Sequence, residues 1–193
     1  MGMLIIGLVL FLGIHTVSIV APQWREGQIA RLGEGPWKGM YSVVSAIGFG
    51  LLIYGYGAAR QNPVVLYTPP TALRHVALLL MLPVFPLLVA AYFPGRIQAA
   101  AKHPMLLATK FWAAAHLLAN GTLADVLLFG GFLAWAVADR ISVKRRPARP
   151  IPGAPARPNN DVIVNVVGLG LYALFVLWAH RWLFGVSPLP SLQ

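Results

Sequence analysis

Five histidines are the side chains in this sequence best able to carry chemistry. All lie within or at the ends of apolar segments: His15, His75, His103, His116 and His180. An imidazole in such a segment is costly unless it faces a partner, a cavity or a metal. Two histidines on facing helices can ligate a haem iron axially, whereas a non-haem metal more often recruits carboxylates as well. The five acidic residues lie in loops or at helix ends, and the sequence has no Cys.

The histidines differ in what their positions suggest. His15 lies deep in the first apolar segment, where it is either a ligand or a hydrogen-bonding partner for another helix. His116 shares a helix face with Trp112 and Asn120, because these lie four residues to either side. That face suits a cofactor pocket and equally suits polar contacts between helices. The other three histidines are expected at the membrane boundary.

Six apolar segments must position these side chains. The 193 residues are 58% hydrophobic and 10% charged, which is more apolar surface than one small soluble core can bury. A helix needs about 20 mainly apolar residues to cross a bilayer. The sequence therefore predicts an all-α, polytopic membrane helix bundle of about six transmembrane helices. The segments are residues 3–21, 40–58, 72–93, 105–119, 123–138 and 162–184.

The net charge of +10 is distributed unevenly along the chain. Most of the 15 Lys and Arg residues fall in the loops after the first, third and fifth segments. The positive-inside rule then places both termini outside the cytoplasm. The basic charge is thus a topology signal and an attraction to anionic lipid, and the expected partner is the bilayer. Nucleic-acid binding is not expected, because no recognition module is present.

A proline-rich stretch divides the chain. Residues 1–146 are predicted to form a five-helix transmembrane core, residues 147–161 an extended cytoplasmic linker, and residues 162–193 a last transmembrane helix with its tail. That last helix is expected to be dispensable. Pro83 and Pro86 should bend the third helix. Several glycines should allow close helix packing: Gly48, Gly50, Gly55, Gly57, Gly130 and Gly131.

Several segments resemble the NnrU family of bacterial membrane proteins. They are FLGIHTV, RLGEGPWKGMYSVVS, LYTPP, RHVALLLMLP and, most specifically, AAAKHPMLLATKFWAAAHLLANGTLADVLLFGGFLAWAVADR. The family is associated with denitrification and nitric oxide metabolism, and is similar to the plastid 15-cis-zeta-carotene isomerase, which uses haem b. The resemblance implies a bacterial inner-membrane protein with periplasmic termini, binding haem b between helices and serving nitric oxide metabolism or a redox-type isomerisation.

The resemblance also implies roles for individual residues. His15 and His116 would be the axial ligands, and His103 a supporting or substrate-side residue. Predicted depths in the bilayer separate His15 from His116 by about 10 Å, so His103 is the alternative partner of His15. The isomerase has a Cys three residues before its second ligand, but Ala113 stands there in this chain. Exchange of a thiol for an imidazole is therefore excluded.

Two other functions compete with a haem protein. One is a non-enzymatic accessory protein that helps to assemble a membrane denitrification enzyme through contacts in the bilayer. The other is a small-molecule transporter, although no internal repeat of the kind many transporters contain is present. The partner would accordingly be a small hydrophobic substrate or a denitrification enzyme complex. Catalysis stays open, since a shared fold does not fix a reaction.

Overall fold

The chain folds almost entirely into helices. A computed structural model describes residues 1–146 and 153–189, so residues 147–152 of the expected linker lie outside the described residues. The helices are α1 (Gly2–Val20), α2 (Pro22–Leu32), α3 (Glu34–Ala59), α4 (Thr71–Met81), α5 (Val84–Ala90), α6 (Arg96–Ala101), α7 (Pro104–Ala119), α8 (Leu123–Ser142), α9 (Asn160–Leu174) and α10 (His180–Phe184). A π-helical turn, Phe175–Ala179, joins the last two. Within the described ranges, pairing of extended backbone is limited to one bridge between Val65 and Thr122. The all-α prediction is confirmed.

Four stretches are long and apolar enough to cross a membrane. They are Gly2–Val20, Glu34–Ala59, Thr71–Ala90 and Asn160–Phe184. Helix α7, with 16 residues, is shorter than a typical span, and α8 carries Asp125, Asp139 and Arg140 near its ends. The membrane character is confirmed, while the count of six spans stays a prediction.

The contacts group the described helices into two compact units. The first unit contains α1, α2, α3 and α8. The second contains α4 to α7 together with α9 and α10, and within it α9 packs along α5. The last span is thus an integral part of the second unit. That it is dispensable for function stays a prediction.

In the first unit, glycines let α1 and α3 approach closely, as predicted for Gly48 and Gly55. A Cβ at Gly48 would lie 2.7 Å from the backbone nitrogen of Phe11, and one at Gly55 would overlap the backbone of Leu4. Gly7 on α1 meets α3 in the same way. The prediction is wrong for the remaining glycines, which face open space or make only ordinary contact: Gly50, Gly57, Gly130 and Gly131.

In the second unit, the predicted bend at Pro83 is confirmed, because α4 ends at Met81 and α5 begins at Val84. The Tyr172 hydroxyl of α9 donates a hydrogen bond to the Leu78 carbonyl oxygen near this break, at 3.0 Å. Gly168 brings the backbone of α9 onto Pro86, where a Cβ would lie 2.5 Å from the proline nitrogen. The proline-broken helix is therefore braced by the last span.

The glycine contacts predict a difference between two neighbouring substitutions on α3. Gly48→Ala should lower stability by about 1–3 kcal/mol, because the new methyl group overlaps the Phe11 backbone. Gly50→Ala is the matched control, and should be neutral or slightly stabilising because that site is open. Thermal unfolding in detergent measures both changes. Equal melting temperatures for the two variants would contradict the packing described here.

Candidate functional site

His15 lies on α1 inside a cluster of aromatic side chains of the first unit. Its Nδ1–H donates a hydrogen bond to the Phe11 carbonyl oxygen one turn back, at 2.6 Å. The imidazole lies 4.4 Å from the Phe11 ring, 5.1 Å from the Tyr41 ring on α3 and 5.9 Å from the Trp135 ring on α8, between centroids. Tyr41 and Trp135 both meet the imidazole edge to face. Three helices therefore fix the orientation of this side chain.

Two buried polar atoms of this unit lack hydrogen bonds. Among the described residues, Trp135 Nε1 and Ser45 Oγ are buried without a hydrogen-bond partner. Ser45 lies one turn from Tyr41 on α3. A buried donor left unsatisfied costs about 1–3 kcal/mol. Such an atom is therefore a candidate contact for a bound group with acceptor oxygens.

An ion pair closes the same end of the first unit. Arg146 donates one hydrogen bond to Asp139 Oδ1 and another to the Ser18 carbonyl oxygen, both at 2.7 Å. Asp139 lies one turn beyond Trp135 on α8, and Ser18 one turn beyond His15 on α1. The guanidinium thus joins the ends of the two helices that carry His15 and Trp135.

His116 lies on α7 in the second unit, with the neighbours that the helical period predicted. Its Nδ1–H donates to the Trp112 carbonyl oxygen at 2.8 Å, and its ring centroid lies 5.3 Å from that of Trp112. Asn120 donates from Nδ2 to the His116 carbonyl oxygen at 2.9 Å, where α7 ends. The predicted shared helix face is confirmed for Trp112 and His116, whereas Asn120 lies just past the end of α7 in extended backbone.

The backbone hydrogen bonds select one tautomer for both histidines. A carbonyl oxygen can only accept, so Nδ1 carries the proton in His15 and in His116. The lone pair of each neutral ring is then on Nε2, which is the nitrogen that would ligate a metal in this tautomer. Metal-ligating histidines are commonly oriented by such a bond from the other ring nitrogen. The two residues thus have the same local geometry, each within its own unit.

The other histidines occupy different settings. His103 is the residue before Pro104, and its carbonyl oxygen accepts the first backbone hydrogen bond of α7, from Leu107. His75 lies beside a cavity of about 330 Å³ against Tyr172. His180 donates from Nδ1 to the Val186 carbonyl oxygen at 2.8 Å, just past the end of α10. None of these three shares the bond to a carbonyl one turn back within its helix.

The sequence did not single out Tyr41 and Trp135 as neighbours of the His15 ring, or Ser45 as a buried hydroxyl of the same unit. Tyr41, Ser45 and Trp135 come from α3 and α8, and single aromatic or hydroxyl residues are common in apolar helices. No local pattern marks them. Only the four-residue spacing of Tyr41 and Ser45 hinted at one helix face.

The described His, Cys, Asp and Glu side chains suit a metal whose other ligands come from a cofactor. Within residues 1–146 and 153–189, no three His, Cys, Asp or Glu side chains come together as a metal site. A bare cation would need such a group. A porphyrin supplies the equatorial nitrogens itself and requires only axial ligands. The His15 imidazole and the unpartnered Trp135 N–H are thus compatible with a group of this kind.

Comparison with protein families shows which family the sequence matches. A family model described as NnrU protein matches residues 3–188, nearly the whole chain. No curated protein matches the sequence. No solved structure matches it either.

The Arg146 contacts predict that this arginine is structural. Arg146→Gln should lower the free energy of unfolding by about 2 kcal/mol, because Asp139 loses a charged hydrogen bond at a site with little solvent. Arg145→Gln is the matched control, since Arg145 is exposed. Thermal unfolding of the two variants in detergent provides the measurement. If Arg145→Gln were as unstable as Arg146→Gln, the hydrogen bonds by which Arg146 joins α1 and α8 would not explain the loss of stability.

Proposed function

The chain belongs to the NnrU family, and from that premise we propose that it is a haem b protein of the bacterial cytoplasmic membrane that serves nitric oxide metabolism. His15 and His116 are the proposed axial ligands, with both termini on the periplasmic side. The observation that carries the proposal is the bond from Nδ1 to the carbonyl one turn back, made by both histidines. That bond orients each ring and leaves the lone pair on Nε2.

The buried donors of the first unit support the same proposal. Trp135 Nε1 has no partner among the described residues, and its ring lies against the His15 imidazole. Haem b carries two carboxylate groups whose oxygens accept hydrogen bonds. An indole N–H that meets such an acceptor recovers the hydrogen bond that it lacks in this structure.

Individual side chains would have different roles at such a haem site. Haem held by two imidazoles would supply an iron that exchanges one electron. His15 is held in one rotamer by Phe11, Tyr41 and Trp135, so an axial bond would require little reorganisation. The same aromatic side chains leave the imidazole only partly exposed. Apolar surroundings and axial ligand identity are two of the means by which a protein tunes haem iron.

Absorption spectroscopy tests the proposal directly. The purified, detergent-solubilised chain should show a Soret band after expression with haem precursor or after addition of haem. Reduction should sharpen the visible bands, as expected when two imidazoles ligate the iron. The absence of a Soret band after haem supplementation would overturn the proposal. Co-purification with a denitrification enzyme in that case would favour the accessory role.

Substitution of the ligands distinguishes coordination from misfolding. His15→Gly and His116→Gly should each lose the spectrum of two axial imidazoles, and added imidazole should restore it by occupying the vacated position. His180→Gly is the matched control, because His180 begins α10 and its Nδ1 bonds to the Val186 carbonyl oxygen. An unchanged spectrum in His15→Gly or His116→Gly would move the ligand to another residue, with His103 the next candidate for His116.

A second measurement tests the role of Trp135. Trp135→Phe keeps the aromatic packing and removes the indole N–H, so the spectrum should survive while the reduction potential shifts. A hydrogen bond of about 1 kcal/mol corresponds to roughly 40 mV for a one-electron couple. Trp24→Phe is the control, because Trp24 is exposed on α2. A potential that does not change in Trp135→Phe would show that the indole donates no hydrogen bond to the cofactor.

A further inference from the structure

A cleft in the second unit lies where two membrane spans end. The span Thr71–Ala90 ends at the C-terminus of α5, and the span Asn160–Phe184 begins with α9, which packs along α5. The segments that immediately follow the first span and precede the second form the walls of the cleft, whose volume is about 540 Å³. By its place on the chain, the cleft is at the level where apolar helix surface gives way to polar surface.

Side-chain hydrogen bonds hold the two walls together. Asn160, which is 1% exposed, donates from Nδ2 to the carbonyl oxygens of Pro94 and Pro155, at 2.7 and 3.1 Å. Ala154 N–H donates to the Tyr92 carbonyl oxygen at 2.8 Å. The end of the proline-rich stretch is therefore attached to the loop after α5. Hydrogen bonds of the fold therefore hold the two walls of the cleft in place.

Asp161, at the start of α9, binds the N-terminus of α6. Its carboxylate accepts hydrogen bonds from the backbone N–H groups of Arg96 and Ile97, at 3.0 and 3.1 Å. These are the first N–H groups of α6, so the helix terminus is already occupied by a carboxylate from this chain. A second anion in the cleft must be held by side chains.

Two arginines supply the positive charge of the cleft. Arg96 lies on one wall and Arg157 on the other, and both are exposed. In the part of the chain that the structure describes, neither has an ion pair with an acidic side chain. The rest of the lining is mostly apolar, with Pro94, Ala99, Ala156 and Pro158. Charge and apolar surface thus lie side by side.

We infer that this cleft binds the phosphate group of an anionic phospholipid. Guanidinium groups pair well with phosphate oxygens, and the prolines and alanines provide an apolar surface for the glycerol and the first carbons of the acyl chains. Basic pockets beside membrane helices on the cytoplasmic side are a known way of binding acidic headgroups. The side that carries Arg96 and Arg157 is also the one that the charge distribution predicts to be cytoplasmic. This inference is independent of the haem proposal.

Native mass spectrometry of the full chain in detergent tests the inference. Delipidated protein is titrated with phosphatidylglycerol, with phosphatidylcholine and, separately, with inorganic phosphate. Phosphatidylglycerol should bind in preference to phosphatidylcholine, because only the former has a net negative charge. Arg96→Gln and Arg157→Gln should each weaken phosphatidylglycerol binding by about five-fold. Arg96→Lys, which keeps the charge, should lose less.

Arg74→Gln is the matched control, because Arg74 is an exposed arginine of the same unit at the other end of the span Thr71–Ala90. Its binding of phosphatidylglycerol should equal that of the unchanged chain. All substituted side chains are exposed, so melting temperatures should not change. Equal lipid binding in every variant, or equal loss in Arg74→Gln, would overturn the inference. Inorganic phosphate that competes with the lipid at the same concentration would show a phosphate site and overturn the lipid assignment.

Discussion

A polar side chain on an apolar helix must find its hydrogen bonds without help from water, and this constraint shapes the described structure. The solution used repeatedly is a bond to the carbonyl oxygen one turn back on the same helix. Among the described residues, six side chains adopt it, with Asn120 at the C-cap of α7: His15, Thr16, Thr109, His116, Asn120 and Asn165. For a hydroxyl or an amide the bond merely satisfies a donor. For an imidazole it also selects the tautomer, which places the ring lone pair on Nε2.

Close helix packing then decides what surrounds that imidazole in the first unit. Gly48 and Gly55 let the backbone of α3 reach α1, so Tyr41 meets His15 directly. Arg146 ties the end of α8 to the end of α1, which keeps Trp135 against the other side of the ring. The proposed cofactor would therefore meet an imidazole held by neighbouring rings and an indole N–H that lacks a partner among the described residues. The stability of the fold and the proposed chemistry thus depend on the same contacts.

Close packing at glycines shapes the first unit, whereas a proline that interrupts a helix shapes the second. Pro83 ends α4, and the last span covers the break through Gly168 and the Tyr172 hydroxyl. Asn160 and Asp161 at the start of that span hold the preceding loop in place. The last span, which sequence composition alone separated from the other helices, therefore packs as part of the second unit. Its attachment creates the cleft that carries Arg96 and Arg157.

The sequence by itself determined the features that depend on local periodicity and composition. Apolar runs predicted the membrane helices, Pro104 the start of α7, and the four-residue spacing the common face of Trp112 and His116. Only the tertiary structure decided which glycines meet a neighbouring backbone, and that Arg146 bonds to Ser18, 128 residues away. It also brought Trp135 to His15. The physical reason is that helical period fixes which residues share a face, whereas packing between distant segments fixes what that face meets.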